Sequence, residues 1–267
     1  MSNTSTYAIS GGKEGKSRLN VLAQAMHVHT ESLLQQLGVS QGLSFLDNGC
    51  GGGDVARMAA NMVGVNGKVT AIDFDATIIE LAKQDAQEQQ IGHIYFETGH
   101  ALEMDYNNAF DFAYARFLLS HLSNPLQALQ KMKDAVKPNG KVVVEDIQFS
   151  GHFCFPENKA YHKYLLLYAE TIKRKGGNAE IGPTLIDLFD KAGFHEIGFD
   201  MVQPVFATGN GKWMAYLTME KIKESVVQES LATANEVDEL LQQLKVFTEA
   251  KNSIISLPRV FRVWGSK

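Results

Sequence analysis

The feature that most constrains the fold is a glycine-rich segment between two regular patterns. Residues 47–53 have the sequence Asp-Asn-Gly-Cys-Gly-Gly-Gly; a short apolar run at 43–46 precedes them, and a helical pattern begins at Asp54. Glycine has no Cβ, so a turn of this kind adopts unusual dihedrals and brings the backbone close to a ligand. The segment therefore predicts a strand, a tight ligand-binding turn and a helix.

The alternation of strand-like and helical patterns continues along the chain. An amphipathic helix is expected from Leu19 to Leu37, with Gly38 as its stop. The strand-like segments are 43–46, 68–72, 93–96, 110–115, 141–147, 194–202 and 259–264, and the helical segments are 54–62, 76–87, 125–136, 183–192 and most of 212–249. This order is typical of a mostly parallel sheet covered by helices on both faces. The predicted fold class is α/β with a doubly wound sheet.

Two segments interrupt this pattern after residue 148. We therefore expect one domain over 1–267, in which 1–41 form an N-terminal lid and helix and 42–148 form the cofactor-binding core. Residues 149–182 and 205–256 are predicted cap insertions, and 183–204 and 257–267 complete the sheet. The first insertion is rich in aromatic residues, which favours either the core of a helical segment or an apolar ligand cavity.

Composition narrows the classes of partner. The chain has 30 acidic and 25 basic residues and a formal net charge of -5. It therefore lacks the overall positive charge that favours binding to nucleic acid. No secretory pattern or membrane-spanning apolar stretch is present, and the two cysteines form no disulfide framework. We expect a cytoplasmic protein with a small-molecule partner and no membrane insertion; a monomer and a homodimer are both compatible with the sequence.

The spacing of the glycines distinguishes between nucleotide-like cofactors. Dinucleotide enzymes usually show G-x-G-x-x-G, whereas Asp47, Gly49, Gly51 and Gly53 give D-x-G-x-G-x-G. Asp73 ends the second predicted strand, about 20 residues after the loop, where an acidic residue holds ribose hydroxyls. A glycine turn that serves only packing is the alternative interpretation.

Together with three later segments, this loop resembles the class I methyltransferases that depend on S-adenosylmethionine (SAM). The later segments are Thr98–Glu103, the stretch from Phe110 to Leu122 and the turn 137–140. The resemblance implies a Rossmann-like, seven-stranded, mostly parallel sheet with an antiparallel last strand, SAM as cofactor and S-adenosylhomocysteine (SAH) as product. Within the class, the chain looks most like the small-molecule enzymes of quinone and natural-product biosynthesis.

The resemblance also implies a set of cofactor-binding residues. They are Asp47, Gly49, Cys50, Gly51, Gly53, Asp73, Phe74, His100, Ala101, Leu102 and Arg116. Ala101 and Leu102 are expected to border the adenine ring. His100 stands where the family usually has aspartate, and a neutral imidazole nitrogen is a possible substitute as acceptor for the adenine amino group.

Candidate catalytic residues follow from the rule that ligands bind beyond the carboxyl ends of parallel strands. His121, after the fourth strand, is the first candidate base, and a structural histidine is the alternative. Only one of Glu145 and Asp146 is expected to face the pocket, and we favour Asp146. Tyr7 is a candidate lid residue. No metal is predicted, because His152 and His162 have no clear ligand cluster around them.

The predicted function is transfer of a methyl group from SAM to a small, partly apolar metabolite by in-line displacement. The methyl group is already activated on a sulfonium, so alignment and desolvation are the main tasks of the protein. A non-catalytic SAM-binding protein and, with less support from the glycine spacing, an NAD-dependent oxidoreductase are the alternatives.

Overall fold

The computed structural model describes the backbone of residues 12–267 and the side chains from residue 15 onward. Ten strands and eight α-helices lie in this part of the chain. In chain order they are α1 (Gly12–Gln36), β1 (Ser44–Asn48), α2 (Asp54–Val63), β2 (Lys68–Asp73), α3 (Ala76–Glu88), β3 (Ile94–Thr98), β4 (Phe110–Arg116), α4 (Pro125–Ala135), β5 (Val136–Gln148), β6 (Cys154–Phe155), α5 (Lys159–Arg174), α6 (Leu185–Lys191), β7 (His195–Val202), β8 (Val205–Phe206), α7 (Met214–Gln228), α8 (Ala234–Glu249), β9 (Ile254–Ser256) and β10 (Arg259–Ser266).

Seven of these strands form one sheet in the order β3-β2-β1-β4-β5-β10-β7. Strands β3, β2, β1, β4 and β5 pair in parallel, whereas β10 runs antiparallel to both β5 and β7. The prediction of a seven-stranded, mostly parallel sheet with an antiparallel last strand is confirmed. The chain order reverses direction at β1, between β2 and β4, and a ligand crevice is expected at this switch point.

Alternating residues of the central strands bury their side chains on opposite faces of the sheet. Phe45 packs with Leu33 of α1 in the cluster on one face, and Leu46 packs with Leu129 and Phe189 in the cluster on the other. All five side chains are completely buried. Removal of these apolar surfaces from water stabilises the helix layers against the sheet.

A third apolar cluster joins the two segments that interrupt the sheet. Tyr161 of α5, Ile222 of α7 and Leu244 of α8 lie in one buried cluster with Ile147 and Phe149, at the end of β5. The strands β6, β9 and β8 form a small antiparallel sheet that connects the same segments. We call α5, α7, α8 and this small sheet the cap. It lies against the carboxyl end of the central sheet.

Two local features add detail to the sequence-based prediction. The region 212–249 contains two helices, and a capping box formed by Thr233 and Glu236 begins the second. The predicted turn at 137–140 lies within β5, where Asn139 has a left-handed φ of 65°. None of the helices in the described part of the chain has the length and apolar composition needed to cross a bilayer.

Candidate active site

The glycine loop after β1 requires glycine at several positions. Gly49, Gly51 and Gly53 have φ values of 76°, 50° and 72°, a region that L side chains rarely adopt. A Cβ on Gly49 would lie 2.9 Å from Cδ1 of Leu118, and one on Gly53 would lie 3.0 Å from a ring carbon of Phe96. The loop is therefore shaped both by its backbone conformation and by close packing from two sides.

Asp73, at the end of β2, is hydrogen-bonded to the glycine loop. Its Oδ2 accepts a hydrogen bond from the Gly51 amide at 2.9 Å, and its Oδ1 accepts one from the Asp75 amide at 3.0 Å. Burial raises the pKa of Asp73, and these amide bonds oppose that rise. The carboxylate lines the cavity above the sheet, so its remaining lone pairs are placed to accept hydrogen bonds from a ligand.

Asp47 lies behind the loop and is 2% exposed. Its Oδ2 atom has no hydrogen-bond partner within the described part of the chain. Burial, followed by the charges of Asp54 and Asp73, raises the pKa of Asp47 to about 8, although Arg116 acts in the opposite direction. A buried carboxyl with an unused oxygen is suited to a cationic group that approaches the loop.

A charged network under the loop holds the end of β4. Arg116 donates from Nη2 to Oδ2 of Asp54 at 2.7 Å and from Nη1 to Oγ1 of Thr30 at 3.3 Å. Thr30 and the Tyr114 hydroxyl each donate to Oε2 of Glu145 at 2.6 Å. Thr30, Tyr114 and Glu145 are completely buried, whereas the Asp54 side chain is 27% exposed. The network links α1, α2, β4 and β5 to one another.

One cavity of about 950 Å³ lies between this loop, α1 and the cap. Its volume is sufficient for a nucleoside-like cofactor together with a second ligand. The predicted site residues that line it are Gly49, Cys50, Gly51, Asp73, Phe74, His100, Ala101, Arg116 and His121. Asp47, Gly53 and Leu102 are close to these residues in the chain but do not line the cavity. The cofactor-binding roles expected for these three residues stay predictions.

His100 uses one ring nitrogen within its own loop. The amide of Leu102 donates to Nδ1 of His100 at 3.3 Å. In the neutral ring, Nε2 then carries the proton and is a donor. The expectation that His100 replaces aspartate as an acceptor is therefore not supported by this geometry.

His121 lies in a 3-10 turn at Leu119–His121 and lines the cavity. Burial, followed by the charge of Arg18, lowers the pKa of His121 to about 3. The imidazole is thus neutral at physiological pH and accepts hydrogen bonds, but it is a weak base because its conjugate acid is strong.

The expectation that Asp146 points into the pocket is wrong. Asp146 is completely buried, does not line the cavity and accepts hydrogen bonds from the amides of Ser120 and Ile147 at 3.0 and 2.9 Å. Burial raises the pKa of Asp146 to about 6. Its neighbour Glu145 lies on the opposite face of β5 in the charged network, so neither carboxylate reaches the cavity.

His152 also lines the cavity, whereas the sequence suggested for it only a possible role as a metal ligand. Its Nδ1 donates to the carbonyl oxygen of Phe149 at 2.8 Å, and burial lowers the pKa of His152 to about 4. Around it, the rings of Phe149 and Tyr168 stack at 4.0 Å, and Tyr161 and Tyr164 complete an aromatic wall. No cluster of three metal-binding side chains occurs in the described residues. Tyr7 lies outside them.

The family of the chain follows from a comparison with known protein families. Residues 39–203 match the family model for the methyltransferase domain, and the chain therefore belongs to this family. It is 33% identical over 132 residues to the demethylmenaquinone methyltransferase of Oceanobacillus iheyensis, covering 49% of this chain and 55% of that one. It is 31% identical over 144 residues to the 2-phytyl-1,4-naphtoquinone methyltransferase of Trichormus variabilis, covering 53% and 60%.

The chain thus spans little more than half the length of these curated relatives. A SAM-dependent methyltransferase from Aquifex aeolicus has a similar fold, with a TM-score of 0.50, 22% identity, and coverage of 65% of this chain and 82% of that one. The prediction of a methyltransferase domain is confirmed by the family match, and the predicted fold is confirmed by this structural similarity.

Proposed function

We propose that this protein transfers a methyl group from SAM to a small acceptor that has an apolar ring, within the cavity between the glycine loop and the cap. The observation that carries the proposal is the lining of this cavity, which includes both the glycine loop with Asp73 and four buried aromatic side chains at the cap. We call the part beside the loop the loop-lined half, and the part beside Phe149, Tyr161, Tyr164 and Tyr168 the aromatic half. SAM supplies a methyl group that is already activated on a positively charged sulfur. The two cap segments act as one unit that covers the acceptor.

The loop-lined half has the groups that this cofactor requires. Asp73 accepts from ribose hydroxyls, Ala101 borders the adenine with Phe74, and the glycine loop approaches the amino-acid part. Asp47 offers an unused carboxylate oxygen for the ammonium group, directly or through water. The positive φ values of Gly49 and Gly53 and the close neighbours Leu118 and Phe96 disfavour any side chain at these two positions, so the loop backbone keeps its shape.

The aromatic half favours an apolar acceptor. Phe149, Tyr161, Tyr164 and Tyr168 line it, and all four side chains are buried. Two relatives are named for naphthoquinone substrates, which are flat and largely apolar. Exclusion of water by these rings and alignment of the acceptor with the methyl group are the main contributions of the protein to the rate.

His121 is proposed to orient the acceptor. It lies on the turn between the two halves of the cavity, and its low pKa keeps the ring neutral. A neutral ring nitrogen accepts a hydrogen bond without adding positive charge beside the sulfonium.

Titration with SAH tests the cofactor half of the proposal. The wild-type protein should bind SAH with saturation, and Asp73→Ala should weaken binding by about a hundredfold, since it removes a carboxylate that makes charge-assisted hydrogen bonds. Asp187→Ala is the matched control, because Asp187 is exposed and pairs with Lys191 on α6, away from the cavity. Absence of SAH binding to the intact protein would exclude the proposal.

A non-catalytic SAM-binding protein is the second candidate. It is favoured by one observation: Asp146, the carboxylate expected to be catalytic, is buried outside the cavity. Incubation with SAM labelled in its methyl group and an extract of small metabolites separates the two candidates. Transfer of label to an acceptor supports the enzyme, whereas SAH-competed binding without transfer supports the second candidate.

A further inference from the structure

We propose that the methyl acceptor carries a hydroxyl group on its apolar ring and that Nε2 of His152 accepts a hydrogen bond from this hydroxyl. The inference rests on the proposed function, because it assigns the aromatic half of the cavity to the acceptor. It concerns a residue that neither the sequence pattern nor the family match identifies.

The orientation of His152 is fixed by its surroundings. A carbonyl oxygen only accepts, so the 2.8 Å contact with the oxygen of Phe149 places the proton on Nδ1. The ring also packs edge-on against the rings of Phe149 and Tyr161, with centroid distances of 4.4 and 6.2 Å. In the neutral ring, Nε2 therefore carries the lone pair, and no residue in the described part of the chain donates to it.

The hydroxyls of two tyrosines in the aromatic half are already hydrogen-bonded within the protein. The hydroxyl of Tyr161 donates to the carbonyl oxygen of Ser256 at 2.9 Å, and that of Tyr164 is hydrogen-bonded to Thr218. Burial lowers the pKa of His152 to about 4, so the ring remains neutral over the physiological range. His152 is thus a neutral acceptor in an apolar wall, and an unpaired acceptor in such a place selects a ligand with a matching donor.

The charge beside the aromatic half favours a hydroxyl over an ammonium donor, since the carboxylates of Asp54, Asp73 and Asp75 that line the cavity lie in or next to the glycine loop. Arg18 lines the cavity and donates from Nε to Oγ1 of Thr218 at 3.0 Å. No carboxylate in the described residues pairs with its guanidinium. Glu224, the acidic residue on the α7 side of the cavity, is exposed. An unneutralised arginine disfavours a cationic acceptor and stabilises the partial negative charge of a polarised hydroxyl oxygen.

The test uses two flat probes of nearly equal size, 1-naphthol and naphthalene, with the protein saturated with SAH. Binding of each probe is measured by calorimetry for wild type, His152→Asn and His152→Gln. The asparagine amide retains a donor near the position of Nδ1 and has no acceptor at Nε2. The glutamine amide is longer and places an oxygen near the position of Nε2. Binding of SAH to each variant shows whether the cofactor half is intact.

Wild type should bind 1-naphthol about tenfold more tightly than naphthalene, the value of one hydrogen bond to a buried acceptor. This preference should be lost in His152→Asn and largely restored in His152→Gln, with equal SAH affinity in all three proteins. An unchanged preference in His152→Asn would overturn the inference, as would equal binding of both probes to wild type or binding of neither. Loss of SAH binding by wild type would instead overturn the proposed function and, with it, this inference.

Discussion

At the residue scale, Asp47 links cofactor binding to pH. Burial, followed by the charge of Asp54, raises the pKa of Asp47 to about 8 in the folded protein, far above the ordinary value of an aspartate. An ammonium group near Oδ2 favours the ionised carboxyl, so binding of SAH below pH 8 must release a proton from Asp47. The affinity for SAH should therefore rise by up to about tenfold per pH unit between pH 5.5 and 7.5.

Asp47→Asn tests this linkage. Asparagine does not titrate, so SAH should bind this variant more weakly and with little dependence on pH. Calorimetry at pH 6.5 in two buffers of different ionisation enthalpy measures the proton release, which should approach one for wild type and zero for the variant. Equal proton release from both proteins would show that another group is responsible.

Asp47→Asn, which should weaken SAH binding, should stabilise the ligand-free folded protein. A carboxyl whose pKa is raised on folding stabilises the folded state below its unfolded pKa, near 4, and this contribution is lost as the pH rises through about 8. Asp47→Asn should therefore raise the melting temperature of the ligand-free protein relative to wild type, and the difference should grow from pH 5 to pH 8. A difference that shrinks over this range would contradict the assigned pKa.

The sequence predicted residues of the loop better than residues of the acceptor cavity. Gly49 and Gly51 belong to a short motif whose geometry depends on nearby residues, Asp73 follows at the end of the next strand, and all three line the cavity. Asp146 was misplaced, because alternation along β5 separates its side chain from that of Glu145 but does not show that both are buried away from the cavity. His152 has no sequence signal that separates it from a core histidine; its role depends on the cap that forms around it.

At the element scale, the turn Leu119–His121 depends on Asp146. The carboxylate accepts from the Ser120 amide and anchors the turn to β5. Asp146→Ala leaves two buried amides without this acceptor, at a cost of about 2–4 kcal/mol in the free energy of unfolding. We expect a lower melting temperature and, since His121 loses its position, a larger loss in kcat than in SAH affinity.

Asp146→Asn is the conservative variant, because its amide oxygen still accepts from one backbone amide. It should recover part of both the stability and kcat. Urea denaturation and initial-rate measurements on the three proteins test this order. An alanine variant with the stability and activity of wild type would show that Asp146 does not hold the turn.

The capping box at the start of α8 is expected to stabilise the cap. The Thr233 hydroxyl accepts from the Glu236 amide, and the Glu236 carboxylate accepts from the Thr233 amide. Thr233→Ala should lower the free energy of unfolding by about 1 kcal/mol through loss of this cap. Chemical denaturation measures the change, with unchanged SAH affinity as the control; a weaker affinity would indicate that the start of α8 also shapes the cofactor half.

Elements with strong periodicity were predicted closely, and short paired strands were not. The predicted helix at 76–87 corresponds to α3, and the predicted strand at 68–72 corresponds to β2. The small sheet β6-β9-β8 was missed, because its strands have only two or three residues and pair across about a hundred residues of chain for β6 and β9 and about fifty for β8 and β9. Such pairing depends on the tertiary fold, not on local pattern.

At the scale of the whole molecule, the cavity joins the central sheet to the cap. Residues from the loop, α1, α5 and α7 line the same space, so a ligand that fills it contacts both parts. SAH at a concentration of 100 Kd should stabilise the folded protein by about 2.7 kcal/mol. Thermal denaturation with and without SAH measures this, and hydrogen exchange should slow in both the loop and α7. Protection confined to the loop would contradict the shared cavity.

The most direct test of the central claim is a crystal structure of the protein with SAH. We predict that the ribose contacts Asp73, that the adenine lies beside Ala101, and that the sulfur faces the space between His121 and the aromatic wall at Phe149. SAH bound outside this cavity, or with its sulfur directed away from the aromatic half, would contradict the assignment of the two halves and of methyl transfer between them.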